Sequence, residues 1–285
     1  MGSIKTVCAV CLQNLRKWAA DYRMWTIAAL LIIMVQIYVE DMQRIAGLMG
    51  TKISIWIFPF LYVQFYTKVI FTLPVLLMFC NAPFTDKNQI FVYTRISRAK
   101  WLAGQVLYIF AASAVYYLFI LFLTFISTVF TAEPSLEWGR TLCTIANSGI
   151  ADQADAHFVR VPNIILEYFS PVQATLFTFL TSWLSAALLG LIVFFVNLLS
   201  GTRFLGIIIS SLLVVWSVLV ENGGWIDFKR FSPISWNTLN NIDVGKMTSN
   251  PTFDYCMFVY AALIVMLTAG IILFGRKKSL DVKEG

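Results

Sequence analysis

Apolar residues run along this chain in long blocks, with polar segments between them. Ahead of the first block, Ile4, Val7, Cys8, Cys11, Leu15, Trp18, Ala19 and Tyr22 recur at three- and four-residue spacing. That spacing places them on one face of a helix, with Lys5, Gln13, Asn14, Arg16, Lys17 and Asp21 on the other. A basic face opposite Trp and Leu is the pattern of a helix lying in a membrane interface, which sets residues 1–23 as an interface helix. The blocks at 24–39, 55–80, 102–130, 171–199, 204–220 and 255–274 approach the ~20 helical residues that cross a hydrocarbon core of about 30 Å. The pattern therefore predicts an all-α polytopic membrane protein with six transmembrane helices in a single transmembrane domain.

The polar residues near and inside the blocks refine this picture. Gln36 is the one strongly polar residue of the first span, and Glu40 and Asp41 close it. The second block holds Pro59 and Pro74, each of which removes a backbone donor and kinks or breaks a helix. Lys68 lies in the same block and has two readings: a lysine facing the bundle interior or a wet path, or one that snorkels to the outer interface. Gln36 and Lys68 are the candidates for a translocation path. The turn Ser200-Gly201-Thr202-Arg203 is too short for anything but antiparallel neighbours. Residues 131–170 form a long polar excursion with the sole histidine, His157, near Asp152 and Asp155, a set without metal-site spacing. Residues 221–254 form a second excursion, alternating turn signals with Trp225, Phe228, Phe231, Trp236 and Phe253. It reads as short outer half-helices before the last span, since Trp is favoured at the membrane interface.

Composition agrees with this reading. Of the 285 residues, 59% are hydrophobic and 13% are charged, whereas soluble domains carry about 25% charged residues. The net charge of +6 then reflects topology and anionic lipid rather than nucleic acid. The cysteines form no framework. Cys8 and Cys11 make a C-x-x-C without a second pair or a nearby histidine, and Cys143 and Cys256 both fall in or beside outer segments. No signal peptide is expected.

Charge also orients the spans. With both termini inside, the inner segments hold Lys5, Arg16, Lys17, Arg23, Lys87, Arg95, Arg98, Lys100, Arg203, Arg276, Lys277, Lys278 and Lys283, against Arg44, Lys52, Arg140, Arg160, Lys229, Arg230 and Lys246 outside. The positive-inside bias puts both termini in the cytoplasm of a cell-membrane protein. Residues 81–101 become a cytoplasmic loop, and residues 131–170 and 221–254 become outer segments. Ser97 is placed to N-cap a helix starting near Arg98. Arg98 and Lys100 then meet the positive end of that helix, so lipid head groups, the topology bias or an acidic partner must favour them.

The chain has no G-x-x-x-x-G-K-[ST], H-E-x-x-H or G-x-S-x-G, and its spans have almost no carboxylates of the kind an ion-coupled carrier places at the midplane. It is expected to be no enzyme. A basic helix and a basic loop on the inner side suit a borrowed motor.

On these residues the layout resembles the six-span permease subunits of ATP-binding-cassette (ABC) transporters, of the second integral-membrane, exporter-like class. Ile4–Tyr22 is similar to that family's interface helix. The stretch Thr94-Arg95-Ile96-Ser97-Arg98-Ala99-Lys100-Trp101-Leu102-Ala103-Gly104-Gln105 is similar to its coupling loop, with Gln105 where Lys is common and Asp86 where an acid is common. Phe231-Ser232-Pro233-Ile234-Ser235-Trp236 is similar to its outer half-helix element. The resemblance implies contact with a separate ATP-binding-cassette ATPase subunit through Asp86, Lys87, Arg95, Ser97, Arg98 and Lys100. ATP and Mg would sit on that partner, with no cofactor or metal on this chain. It also implies pairing with a second copy or a sister permease. Outer aromatics and few intramembrane charges suit outward movement of an amphipathic or apolar cargo: a peptide, lipid or drug. The alternatives are a membrane sensor or assembly protein whose outer segments bind a ligand, and an ion-coupled secondary carrier.

Overall fold

The computed structural model describes residues 2–84, 96–133, 135–223, 225–243 and 248–277. The described residues are predominantly helical. Helix α1 is Gly2–Arg16 and α2 is Tyr22–Met49; α3 is Phe65–Phe79, α4 is Arg98–Thr128, and the short α5, α6 and α7 are Gly139–Asn147, Ile150–Gln153 and Asn163–Tyr168. Helix α8 is Pro171–Ser200, α9 is Leu205–Asn222 and α10 is Phe253–Lys277. Strands β1 (Ile53–Ser54) and β2 (Ala132–Glu133) form a two-residue parallel pair. Five helices, α2, α4, α8, α9 and α10, are long and apolar enough to cross a membrane, as a multi-pass membrane protein requires. They turn Trp25, Ile33, Phe122, Leu212, Phe258 and Met266 outward.

Helix α8 is the hub, with α3, α4, α9 and α10 packed around it. Its start is fixed by a capping box, in which the Ser170 hydroxyl accepts from the Gln173 amide and the Gln173 side chain accepts from the Ser170 amide. Pro171 occupies the first turn, where its missing N–H is no loss. The helices hold together through backbone carbonyls as well as apolar contact. Tyr116 on α4 donates to the Phe71 carbonyl at 2.8 Å, and Trp183 on α8 donates to the Phe110 carbonyl at 2.9 Å. Ser185 on α8 meets the Tyr260 hydroxyl of α10 at 2.6 Å.

Contacts at the two ends of the bundle give each helix its direction. At one end lie α1, the starts of α2 and α4, the end of α3 and the α8–α9 turn. Arg23 reaches Cys80, and the Asn197 amide donates to the Ala82 carbonyl at 2.8 Å. Because Lys17, Arg23, Arg98, Lys100 and Arg203 gather here, we call this the basic end. At the other end, Gln43 on α2 bonds Thr131, and Gln64, just ahead of α3, donates to the His157 carbonyl at 3.1 Å. This is the cap end.

The cap is built from residues 50–64 and 131–170. Ile53 pairs with Ala132 and Ser54 with Glu133. Trp56 donates to the Ser135 carbonyl at 2.7 Å, and Thr141 to the Lys52 carbonyl at 2.5 Å. The apolar run 55–80 thereby divides. Only its second half is the helix α3; Phe58–Phe60 is a 3₁₀ turn with Pro59 in its first positions. Ile57, Phe58, Phe60, Leu61 and Tyr62 are buried, with Phe60 against Trp138 and Tyr62 against Tyr117. Burial in the cap, rather than lipid, explains why this piece is apolar. Helix α2 likewise continues past Glu40 and Asp41 to Met49 and stops at Gly50 in the left-handed region, φ 61°.

The segment before α10 is a series of 3₁₀ turns, Ile226–Phe231, Pro233–Asn237 and Leu239–Asn241, in place of half-helices. Trp236 is fully buried against Tyr260 and donates to the Lys229 carbonyl at 2.7 Å, so it anchors this segment inside the protein.

Two glycines make a contrasting prediction. A Cβ on Gly206 would lie 2.5 Å from the Val193 carbonyl and 2.6 Å from the Asn197 side chain, whereas one on Gly47 of α2 meets nothing within 4 Å. Gly206→Ala is expected to destabilise by about 1–3 kcal/mol, as overpacking does. Gly47→Ala is expected to stabilise by roughly 0.5–1 kcal/mol through helix propensity. Thermal midpoints of the two purified variants check the opposite signs.

Candidate functional site

The basic end holds the three described residues that the resemblance marks for partner contact, Ser97, Arg98 and Lys100. Asp86, Lys87 and Arg95 lie outside the described residues. Ser97 occupies the N-cap position of α4 in extended geometry, φ −64° and ψ 144°, without a side-chain cap bond; its carbonyl accepts from the Lys100 and Trp101 amides. Ser97 is exposed, and Arg98 and Lys100 are half-buried on the first turn. The next turn is sunk into the protein: Trp101, Leu102, Gly104 and Gln105 are buried.

Helix α1 is what buries it. Gly104 removes the side chain where α1 crosses; a Cβ there would sit 2.6 Å from Cβ of Val10 and 3.1 Å from the Val7 carbonyl. Asn14, also buried, donates to the Gln105 side chain at 2.9 Å. One turn on, Trp18 donates to the Tyr108 hydroxyl at 2.9 Å. Val10, Asn14 and Trp18 follow four-residue spacing along α1 and the 3₁₀ turn Lys17–Ala20 that extends it. They match Gly104, Gln105 and Tyr108 on α4. The amphipathic face of α1 thus has a protein partner as well as an open side, where Ile4 and Leu12 are exposed. The sequence placed Asn14 on the polar face of α1, and the structure corrects this: Asn14 is buried against α4 because its amide is satisfied by Gln105.

The C-x-x-C of α1 splits across this contact. Cys8 is exposed and Cys11 is buried, and both are free thiols. Burial, with a smaller push from Cys8, raises the Cys11 thiol, the opposite of the activated thiolate a redox site requires. Cys143 and Cys256 are also free, the first exposed and the second buried. Among the described residues no group of three or more His, Cys, Asp and Glu side chains could hold a metal ion.

The two path candidates part company. Gln36 is exposed and ties α2 to α4 by donating to Ser127 at 2.8 Å. Lys68 is 2% exposed and forms an ion pair with Glu221, in the last turn of α9. The Lys68 ammonium also donates to the Ser235 carbonyl at 3.4 Å. Asn241 donates to that carbonyl at 2.9 Å. The lysine therefore faces the interior, and four segments meet at it: α3, α9 and two 3₁₀ turns. Glu221 stood at the edge of an outer segment in the sequence; no pattern there links it to a lysine 153 positions away.

On the cap end a cavity of about 850 Å³ opens beside α3. Gln64, Tyr66, Ser148, Asp152, His157 and Arg160 are its polar lining. His157 is exposed, with Nε2 2.8 Å from the Asp155 carboxylate. Compared with protein-family models, curated proteins and solved structures, the chain matches none.

Proposed function

We propose that this chain is the membrane-spanning subunit of an ATP-driven exporter of the ABC permease type, powered by a separate ATPase subunit that carries ATP and Mg. The observation that carries this reading is the joint between α1 and α4. An amphipathic helix and the root of the basic loop are locked together at one end of a bundle that has no ATP-binding motif of its own. A push delivered to the loop from outside would move α1 and α4 as one piece. Helix α4 packs in turn on α2, α8 and α10, so the motion has a route into the bundle.

Six crossings fit this reading. Helices α2 and α4 both start at the basic end, so the chain between them must return. Helix α3 begins beside the cap contact of Gln64 and ends beside Arg23. At 15 residues it spans about 22 Å, and the buried turn before it supplies the remaining depth. An even number of crossings puts both termini on one side, and the cation bias makes that side the cytoplasm. The partner contacts are then Asp86, Lys87, Arg95, Ser97, Arg98 and Lys100, with a second copy or a sister permease completing the path. The cargo is amphipathic or apolar.

Charge reversal tests the reading. Arg95→Glu/Arg98→Glu is expected to abolish ATP-dependent transport in vesicles and to weaken recovery of the ATPase with the tagged chain, while membrane insertion stays intact. Normal transport by this variant would remove the assignment. The cap cavity favours one other reading, a sensor that binds a polar ligand outside. In that case no ATPase would co-purify, and ligand would protect residues 145–161 from exchange.

A further inference from the structure

The cap cavity has the size of a small-molecule site: about 850 Å³, against roughly 300–1,000 Å³ for such sites in general. Its walls come from three parts of the chain: the start of α3, the end of α5 with α6, and residues 156–161. These walls are tied to one another and to the bundle. Gln64 donates to the His157 carbonyl at 3.1 Å, and Arg44 of α2 donates to the Asp155 carbonyl at 3.3 Å. The Ala156 amide returns to the Ala151 carbonyl at 2.9 Å. Asp155 makes that reversal in the left-handed region, φ 54°, a conformation that Asp tolerates better than most residues. Asn163 donates to the Asn147 side chain at 3.1 Å.

The floor is apolar and the rim is charged. Ile145, Val159 and Val161 are buried in the floor. The charged lining is Asp152, His157 and Arg160. His157 is held by Asp155, with Nε2 2.8 Å from the carboxylate. Asp152 and Arg160 are both exposed, and among the described residues neither side chain has an ion pair, with the other or with a neighbour. A carboxylate and a guanidinium that stand apart on one apolar hollow match a ligand carrying both charges on an apolar frame. An ammonium suits Asp152, and a carboxylate suits the planar fork of Arg160. Tyr66 adds a phenol to the rim. Ser148 adds a hydroxyl whose proton already goes to the Thr144 carbonyl at 2.6 Å, which leaves its oxygen to accept from an amide.

We propose that the cap cavity binds a short peptide with free termini, its amino group at Asp152, its carboxylate at Arg160 and its side chains over Ile145, Val159 and Val161. This names the ligand of the outside-binding reading, and it rests on the cavity being a ligand site, not on whether a motor drives the chain.

The test titrates trialanine, N-acetyl-trialanine and trialanine amide into the full chain in detergent micelles, read by isothermal titration calorimetry. Trialanine is expected to bind saturably, and blocking either terminus to weaken it roughly tenfold, the worth of one charge-assisted hydrogen bond. Asp152→Asn is expected to weaken trialanine by the same factor and to leave the acetylated peptide where wild type has it. Arg160→Gln is expected to do the same for trialanine and the amide. Glu137→Gln/Arg140→Gln, which removes an acid and a base of the cap outside this cavity, is expected to change nothing. No saturable binding of trialanine, or equal binding of all three peptides, would overturn the site. An equal loss in the Glu137/Arg140 control would overturn it in favour of diffuse attraction by the cap. The three peptides on the wild-type chain keep the test decisive if a variant does not fold. An ATPase that co-purifies with a peptide-binding chain would set aside the sensor reading and keep the site; no ATPase and no peptide binding would do the reverse.

Discussion

Lys68→Met is expected to destabilise the protein by about 3–5 kcal/mol, the cost of removing one partner from a buried ion pair. The amine is 2% exposed and the Glu221 side chain 13% exposed, so water cannot replace the lost partner. Methionine matches the lysine stem in length and fills the same volume, so the penalty comes from the stranded carboxylate and not from a cavity. Lys68→Met/Glu221→Gln should therefore recover most of the loss. No charge would remain buried. Thermal unfolding followed by tryptophan fluorescence measures both variants. A single variant that melts with wild type, or a double variant no better than the single, would refute this account of the junction. The pair joins α3 to α9 and to the turn at Ser235, so its loss is expected to loosen the whole 3₁₀ segment, which exchange at Trp236 would report.

The same pair shows where the sequence stopped being legible. The helices were readable because apolar runs of span length have few other uses, and α4, α8, α9 and α10 lie where such runs lie. The ends were less so. Glu40 and Asp41 mark a polar boundary, yet α2 runs on to meet the cap: Asp41 is buried 3.6 Å from Arg44, and Arg44 donates to the Asp155 carbonyl at 3.3 Å. A charge signals the edge of an apolar layer, not the end of hydrogen bonding along a helix. The run 55–62 misled in the opposite sense. Ile57 and Leu61 would suit lipid, but they are fully buried, and composition cannot tell a lipid-facing residue from a core one. Trp236 reads as an interfacial anchor and is a core residue for the same reason. Partnership across long separations, Asn14 with Gln105 or Lys68 with Glu221, leaves no local periodicity, so only the fold discloses it. At the candidate site, Ser97, Arg98 and Lys100 were legible as a helix start with unfavourably placed cations. The helix that packs behind them was legible as amphipathic, though its protein partner was not.

That packing gives the second large effect. Gly104→Ala is expected to prise α1 from α4, because its Cβ would meet Val10 at 2.6 Å and the Val7 carbonyl at 3.1 Å. Overpacking of about 2 kcal/mol, relieved by local detachment rather than global unfolding, raises the detached population roughly thirtyfold. Trypsin reports this directly, since Arg16 and Lys17 lie at the end of α1, and cleavage there should quicken by a similar factor. The closest clashing atom is the Val10 Cβ, which Val10→Ala keeps, so Val10→Gly/Gly104→Ala is the pair that removes it and should restore part of the protection. Transport gives the functional arm. If α1 and the root of the loop must move together, the single variant loses ATP-driven transport and the double variant regains it, with the amount of chain in the membrane unchanged throughout. Unchanged tryptic protection in Gly104→Ala would mean that the neighbours yield without releasing the helix. Faster cleavage with full transport would mean that the joint is structural and that the motor's push, if there is one, enters the bundle elsewhere.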